Sequence, residues 1–451
     1  MKLQTRTVAL LLAIVLMPMA PARAQQLRLP STPSVPGAPS LPAVPLPNVA
    51  APLRSADSAV AAVPLQELRQ RTIGELLRRN PDRIEADPAG EPIVRGELVL
   101  VSPSAALLAT ARAQGYGVLR EESLEGLGER IVVLRAPPGV GTADALARLR
   151  GVDPKLEVDF NHLYTRSGSA TAEDDRSSAA RQTAPALRTV RTSGVRVGLI
   201  DGGVDAHHLA LRDADIRAWG CGGTTVRSAH GTAVGSLLVG QVGPFRGAAV
   251  AATLYAADIY CGQPTGGAAE AIAQALAWMA REEVPVVNMS LVGPANRLLE
   301  RAVRALAARG QIIVAAVGND GPNAPPLYPA SYPDVVGVTA VNASRKVLPE
   351  AARGPQVFFA APGADMAVAG ERALFEDARG TSYAAPIVAG LLASALRAPD
   401  ASAAVNAIAQ LAQLATDLGE PGRDSTYGWG LVGETLRVHP ERMQAYARGS
   451  R

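Results

Sequence analysis

Three residues have the types needed to break an acyl bond with a serine nucleophile: Asp201, His230 and Ser382. Asp201 ends the apolar run 195–200, where a carboxylate can orient an imidazole. Histidine has an unperturbed pKa that suits a general base near neutral pH. Ser382 precedes the apolar run 387–396, and a helix N-terminus exposes a serine oxygen where the helix dipole favours negative charge. The three residues together indicate acyl-transfer chemistry.

Each of the three also has an ordinary structural explanation. An aspartate between a strand and a loop commonly shapes a turn. A histidine at a helix start commonly caps the helix or packs in the core, and a serine there is commonly an N-cap. The residue types alone therefore leave both explanations open, and the flanking sequence has to separate them.

The flanking sequence resembles the subtilisin-like serine proteases (subtilases, peptidase family S8). The most specific segment is Gly380-Thr381-Ser382-Tyr383-Ala384-Ala385-Pro386, which is similar to the nucleophile motif of that family. Segments 228–235 and 201–205 are similar to its histidine and aspartate motifs, in the family order Asp, His, Ser. Segment 312–321 resembles the strand and turn of the oxyanion asparagine, which implies that role for Asn319. Further matches extend the resemblance over about residues 190–435.

The resemblance implies a serine endopeptidase that needs no cofactor. It also implies a pocket for the residue before the cut, lined by Ser290, Leu291, Val292, Ala316, Val317 and Gly318. Val292 stands where the family usually has glycine, so we expect a narrow pocket that prefers small or medium apolar residues to Phe and Tyr.

Some positions depart from the family pattern. Gly202 stands where Thr or Ser is usual, and Ala233 where a second histidine is common. Ala210 occupies a place where some members carry an acidic calcium ligand, and the loop 240–247 is short. Calcium needs several clustered oxygens, and the sequence has no acidic cluster there, so we expect no cofactor or metal; calcium is not indicated but stays an open alternative.

The region 187–438 alternates apolar strands with helical patterns. We predict strands at 195–200, 253–259, 284–288 and 311–317, with helices at 230–239, 268–281 and 297–308. Such alternation indicates a mainly parallel sheet covered on both faces, with sites at the carboxyl ends of the strands. We therefore predict an α/β fold of three layers, as in the subtilisins.

The region 94–165 has the predicted order βαββαβ, typical of a small α+β domain. By the resemblance, it is an inhibitory pro-domain and folding chaperone whose tail, from His162 to Thr165, ends in the active site. Residues 166–186 are then a cleavable linker, poor in large apolar side chains. A plain accessory domain is the alternative.

The N-terminus has the order of a secretory signal peptide. Lys2 and Arg6 precede the apolar run 8–17, and a small-x-small site follows at 22–24. That run is too short for a spanning helix, so we predict a signal peptide over 1–24 and export to the periplasm or the cell exterior, with no transmembrane segment after its removal. The remaining segments are a Pro/Ala-rich linker (25–64), a short helical segment (65–93) and a C-terminal tail (439–451).

The composition narrows the partners. The net charge is only +3, from 44 basic and 41 acidic residues, and no aromatic-plus-basic stretch indicates nucleic acid. We expect a monomer that acts on proteins or peptides and is inhibited by its own pro-domain. Two cysteines, Cys221 and Cys261, predict one disulfide in an exported protein, the alternative being two buried thiols.

Two other functions compete with the peptidase. A lipase or esterase would need a G-x-S-x-G elbow and the order Ser, Asp, His, and neither is present. A catalytically silent or permanently self-inhibited binding protein on the same fold remains the alternative, because a sequence does not show whether a pro-domain is released.

Overall fold

The computed structural model describes residues 63–166, 181–183, 194–371 and 374–449. The predicted signal peptide and nearly all of the Pro/Ala-rich linker lie outside these ranges, as does most of the predicted cleavable linker. Within the described ranges, none of the helices has both the length and the apolar character to cross a bilayer.

The N-terminal part of the described chain is an antiparallel sheet with helices on one face. Its elements are α1 Val63–Arg79, β1 Ile84–Ala86, β2 Pro92–Val101, α2 Ala105–Ala113, β3 Gly117–Leu124, β4 Glu129–Arg135, α3 Thr142–Val152 and β5 Val158–Arg166. The long strands lie in the order β5-β2-β4-β3, and β1 pairs with β2. From β2 onward the elements follow the βαββαβ order.

Strand β4 shows why this sheet has apolar residues on both faces. Val132 and Leu134 pack with the helices of the N-terminal region itself. Ile131 and Val133, on the opposite face, pack into a core that also contains helices of the following domain. Because successive side chains alternate between faces, a run of four apolar residues requires a cover on each side.

The second part of the chain is built on a seven-stranded parallel sheet. Its strands, in spatial order, are β18 Val357–Pro362, β17 Val335–Val341, β16 Ile312–Ala316, β14 Val286–Met289, β7 Arg196–Asp201, β12 Thr253–Asp258 and β8 Asp215–Gly220. The neighbouring strands pair in parallel throughout. The smaller strands of the described chain are β6 Arg181–Thr183, β9 Thr224–Val226, β10 Gln241–Val242, β11 Phe245–Arg246, β13 Gly267–Ala268, β15 Leu291–Val292, β19 Ala364–Ala369 and β20 Phe375–Arg379.

Helices cover both faces of the parallel sheet. They are α4 Ala229–Val239, α5 Ala269–Arg281, α6 Arg297–Ala308, α7 Thr381–Ala395, α8 Ala401–Leu414 and α9 Pro440–Gly449. Along β16, Ile312 and Val314 face the core shared with α4 and α7, whereas Ile313 and Ala315 face the core shared with α5 and α6. The predicted three-layer α/β fold and the antiparallel region before it are confirmed.

The two parts of the chain meet along β5. This strand pairs antiparallel with β13 (Leu163 with Ala268, Tyr164 with Gly267) and with β15 (Thr165 with Val292). The last strand of the N-terminal sheet therefore continues onto two short edge strands of the following domain.

Candidate active site

The buried pair of Asp201 and His230 forms the centre of the candidate site. Asp201 is the last residue of β7, and His230 lies in the first turn of α4, which begins after the N-cap Ser228. Nδ1 of His230 lies 3.0 Å from Oδ1 and 2.9 Å from Oδ2 of Asp201, and both residues are buried. An ionised carboxylate can only accept a hydrogen bond, so Nδ1 of His230 must be the donor and carries the proton. Nε2 is then the basic nitrogen of the ring.

Two glycines allow α4 to approach the turn after Asp201. A Cβ on Gly231 would lie 2.2 Å from the carbonyl oxygen of Gly202, and a Cβ on Gly202 would lie 2.5 Å from Cβ of Ser228. Gly202 stands where the family usually has Thr or Ser. In this chain Ser228 packs so closely against Gly202 that a side chain would not fit there.

Ser382 lies in the first turn of α7, which begins at Thr381, six residues before the apolar run 387–396. The next residue, Tyr383, has its ring 5.7 Å from the ring of His230, measured between centroids. Nε2 of His230 is buried and has no hydrogen-bond partner among the described residues. The structure therefore shows no hydrogen bond between Nε2 and Ser382, and catalytic hydrogen bonds often form or tighten only when substrate is bound.

Asn319 contacts the same helix start. Its Oδ1 accepts a hydrogen bond from the Thr381 backbone N–H (3.0 Å), and the Gly318 N–H donates to Oγ1 of Thr381 (3.2 Å). Because the amide oxygen of Asn319 is turned toward the Thr381 N–H, its NH₂ group points away from that N–H. The structure thus brings the four predicted catalytic residues to one end of the parallel sheet.

The predicted substrate-binding residues have different positions. Leu291 and Val292 form the edge strand β15, which pairs with β5. Ser290 uses its hydroxyl internally: it donates to the Ser382 carbonyl (2.8 Å) and accepts from Nδ2 of Asn288 (3.0 Å). Ala316 is fully buried in the core next to α7.

Leu327 lies beside Gly318, one of the predicted substrate-binding residues, and the sequence did not single it out. A Cβ on Gly318 (φ +100°) would lie 2.5 Å from Cδ1 of Leu327 and 3.5 Å from Cγ1 of Val292. These three positions crowd the same space. Leu327 comes from the loop after β16 and has no local sequence pattern that would have identified it.

A second missed residue is Asp258, at the end of β12 and in register with Asp201. Burial raises its pKa, and the nearby charge of Asp201 acts in the same direction, although backbone N–H groups of Val226, Tyr260 and Cys261 oppose the shift. This carboxylate fixes two loops beside the catalytic pair.

The predicted disulfide joins those two loops. Cys221 and Cys261 are bonded, with their Cα atoms 5.4 Å apart. Within the described ranges, these sulfurs and the carboxylate of Asp258 are the one grouping of three potential metal ligands. Since both sulfurs are in the disulfide, this group is not a metal site.

Strand β5 runs along the edge of the candidate site. Tyr164 is fully buried, and its hydroxyl donates to the carbonyl oxygen of Pro294 (2.7 Å). A Cβ on Gly293 would lie 2.5 Å from the Tyr164 ring, so glycine is needed there to admit the ring. The guanidinium of Arg166 lies over the Tyr260 ring, 4.8 Å from its centroid.

Comparison with known proteins agrees with this geometry. The family model of the Subtilase family matches residues 192–430. Subtilisin BL from Lederbergia lenta is 32% identical over 259 residues, which cover 56% of this chain and 94% of that protein. The minor extracellular protease Epr of Bacillus subtilis (strain 168) is 29% identical over 247 residues, or 53% of this chain, and this match spans only 37% of the length of Epr.

A solved structure shows the same fold. Fervidolysin from Fervidobacterium pennivorans, a keratinolytic enzyme related to subtilisin, matches with a TM-score of 0.61 and 19% sequence identity. The match covers 78% of this chain and 62% of that one, so it extends well beyond residues 192–430.

Proposed function

The chain belongs to the subtilase family of serine endopeptidases, and from this we propose that it hydrolyses peptide bonds through an acyl-enzyme at Ser382. The observation that carries the proposal is the buried Asp201–His230 pair, whose ring lies against the first turn of α7. The match to family members covers the peptidase region rather than the whole of every relative, so the substrates and partners of this chain are part of the proposal.

Each residue has one role in the proposed mechanism. His230 Nε2 takes the proton of the Ser382 hydroxyl as its oxygen attacks the peptide carbonyl, and Asp201 holds Nδ1–H and stabilises the imidazolium. The NH₂ group of Asn319 and the N–H of Ser382 donate to the oxyanion. The imidazolium then gives its proton to the leaving amine. Water, deprotonated by the same nitrogen, hydrolyses the acyl-enzyme.

The region before the peptidase domain is, in this proposal, an inhibitory pro-domain. The support is the antiparallel pairing of β5 with β13 and β15, which is how an extended peptide substrate would bind to these edges. An ion pair adds to it: the partly exposed Arg120 of β3 donates through Nε to Oε1 of the buried Glu270 at the start of α5 (2.9 Å). Asn161 also accepts from the Glu270 N–H (3.3 Å). Cleavage within the linker after Arg166 would release this domain.

Export completes the proposal. It rests on the signal-peptide pattern of residues 1–24, which lie outside the described ranges, and on the disulfide, which forms in oxidising compartments.

Fluorophosphonate labelling of the processed protein tests the chemistry. We expect labelling at Ser382 and peptidase activity, both abolished by Ser382→Ala, with a loss of about 10⁶ in kcat, the value known for the corresponding serine of subtilisin. Ser394→Ala on the same helix is the control and should keep both signals, since its hydroxyl donates to the Gly390 carbonyl within α7, away from the helix start.

The alternative is a permanently self-inhibited binding protein, and the occupied cleft is the observation that favours it. The same experiment separates the two functions. Failure of the probe to label Ser382 after complete removal of the pro-domain would reject the peptidase and support the binding protein.

A further inference from the structure

Helix α1 lies outside the βαββαβ order and yet one of its arginines reaches the peptidase domain. On the solvent side of α1, Arg71 pairs with Glu67 one turn away, and both side chains are more than half exposed. Arg69 differs from Arg71. Its side chain is only 16% exposed, and its ion-pair partners within the described residues, Glu91 and Asp320, both lie outside the helix. An arginine that is largely covered on a charged helix indicates a specific contact.

Arg69 joins three parts of the molecule. Its Nη2 donates to Oε2 of Glu91 (2.7 Å), in the turn between β1 and β2. Its Nε lies 3.4 Å from Oδ2 of Asp320. Asp320 directly follows Asn319, so this ion pair connects α1 to the loop that carries the proposed oxyanion donor.

The turn that carries Glu91 is itself held against β5. Oδ1 of Asp87 accepts hydrogen bonds from two backbone N–H groups of the turn, both 2.8 Å long. Oδ2 of Asp87 lies 3.2 Å from Nε2 of His162, and Nδ1 of His162 lies 2.9 Å from Nδ2 of Asn296. Since the Asn296 amide donates, Nδ1 accepts and Nε2–H donates to Asp87. The turn therefore has a fixed position relative to the cleft.

Asp320 needs the positive charge of Arg69. Burial raises the pKa of this carboxyl, Arg69 opposes the shift, and Glu91 adds to it. Oδ2 of Asp320 is buried and has no hydrogen-bond partner among the described residues. A buried carboxylate oxygen without hydrogen bonds is costly unless a cation lies nearby, so loss of Arg69 should loosen this loop.

We propose that α1 is a second inhibitory element of the pro-region, which holds the loop of Asn319 through the Arg69–Asp320 ion pair in addition to the strand β5 in the cleft. This inference rests on the proposed function, since it assigns α1 to the self-inhibition of the same active site. It goes beyond the pairing of β5, because α1 is not a part of the sheet that fills the cleft.

Hydrogen exchange on the intact, uncleaved chain carrying Ser382→Ala tests the contact without any need for activity. We expect Arg69→Ala to speed amide exchange in residues 318–321 and in α1 by about threefold to tenfold, the range for losing a half-buried ion pair. Arg71→Ala, on the exposed side of the same helix, is the control and should leave exchange in 318–321 unchanged.

Asp320→Asn removes the same ion pair by changing its other partner. It should speed amide exchange in α1 by a similar factor, and it provides the test if the Arg69→Ala chain does not fold. The double variant should show no more than the larger single effect, because both changes remove one interaction. Equal exchange in the Arg69→Ala and Arg71→Ala chains, or fully additive effects in the double variant, would overturn the inference.

In the chain that retains Ser382, the lag before peptidase activity appears can be measured directly. Arg69→Ala should shorten the lag before peptidase activity appears, by a factor similar to that seen in exchange. The final kcat/KM should equal that of the unmodified enzyme, because Arg69 leaves with the pro-region. Absence of activity in every chain would reject the proposed function alone, whereas an unchanged lag with normal final activity would reject the role of α1 alone.

Discussion

The wall of the candidate specificity pocket is crowded by two side chains. Val292 and Leu327 are 4% and 6% exposed, and both approach the position where Gly318 would carry a Cβ. The sequence predicted a narrow pocket from Val292 alone, and the position of Leu327 leads us to extend that prediction to a second side chain.

Replacing Leu327 by Ala should widen this pocket. We expect the ratio of kcat/KM for Phe over Ala before the cut to rise at least about tenfold, because the removed isopropyl group leaves room for a ring. Peptide-library profiling of the processed enzyme measures the ratio. Leu414→Ala, an 80% exposed leucine on α8, should leave the profile unchanged. An unmodified enzyme that already prefers aromatic residues would contradict the prediction.

At the scale of elements, the register of β5 against β15 indicates which residue of the chain lies nearest the nucleophile. Thr165 lies opposite Val292 and Arg166 opposite Leu291. Ser290, the next residue of that edge, donates to the carbonyl of Ser382. In an antiparallel register, the residue after Arg166 would be expected opposite Ser290, next to the nucleophile.

We therefore propose that the first cleavage occurs between Ser167 and Gly168, inside the linker predicted over 166–186. Mass spectrometry of the released pro-region should find a C-terminus at Ser167, even if the mature N-terminus is trimmed later. Ser167→Pro should block this cut, because proline has no backbone N–H and a fixed φ, which an extended chain bound to an edge strand tolerates poorly. Ser177→Pro, in the same linker, is the control. A first cut distant from residue 167 would refute the register argument.

At the scale of the whole molecule, the N-terminal region, which we propose to be a pro-region, shares one core with the subtilase domain. Val99, Val101, Ile131 and Val133 of the N-terminal sheet pack with residues of α5 and α6. Release of the pro-region would expose these side chains to water, which disfavours its folded state in isolation. The same shared face suits a folding template for a parallel sheet, whose contacts are far apart in sequence.

The stability of the intact chain should fall as the pH decreases from 8 to 5, partly because of His208. Burial lowers the pKa of this side chain; the hydrogen bond to the Leu374 carbonyl and the charges of Asp205 and Glu376 only partly offset that effect. The unfolded chain then binds a proton more readily than the folded chain, so stability is lost as the pH falls below about 6.5.

Thermal unfolding of the Ser382→Ala chain at several pH values measures this effect. His208→Gln should reduce the pH dependence of the unfolding temperature, since glutamine does not titrate. His207→Gln, at the exposed neighbouring position, is the control. An equal pH dependence in the His208→Gln chain and its parent would show that His208 contributes nothing.

The sequence by itself determined what is encoded locally. The alternation of apolar strands and helices fixed the fold class, and the motifs around Asp201, His230, Asn319 and Ser382 predicted residues that the structure brings together. The two cysteines allowed one disulfide, and it is present. These features can be predicted from the sequence because each motif reflects the backbone geometry of one turn or one helix start, which a few neighbouring residues determine.

Only the tertiary structure decided the contacts between distant segments. Leu327 lies beside Gly318 because of the path of a loop, and Arg69 meets Asp320 across 250 positions of the chain. Neither pair leaves a periodic or local signal, because packing selects partners by shape and charge after the chain has folded. The physical reason is the same for both: one side chain does not specify its neighbour until the backbone has placed them together.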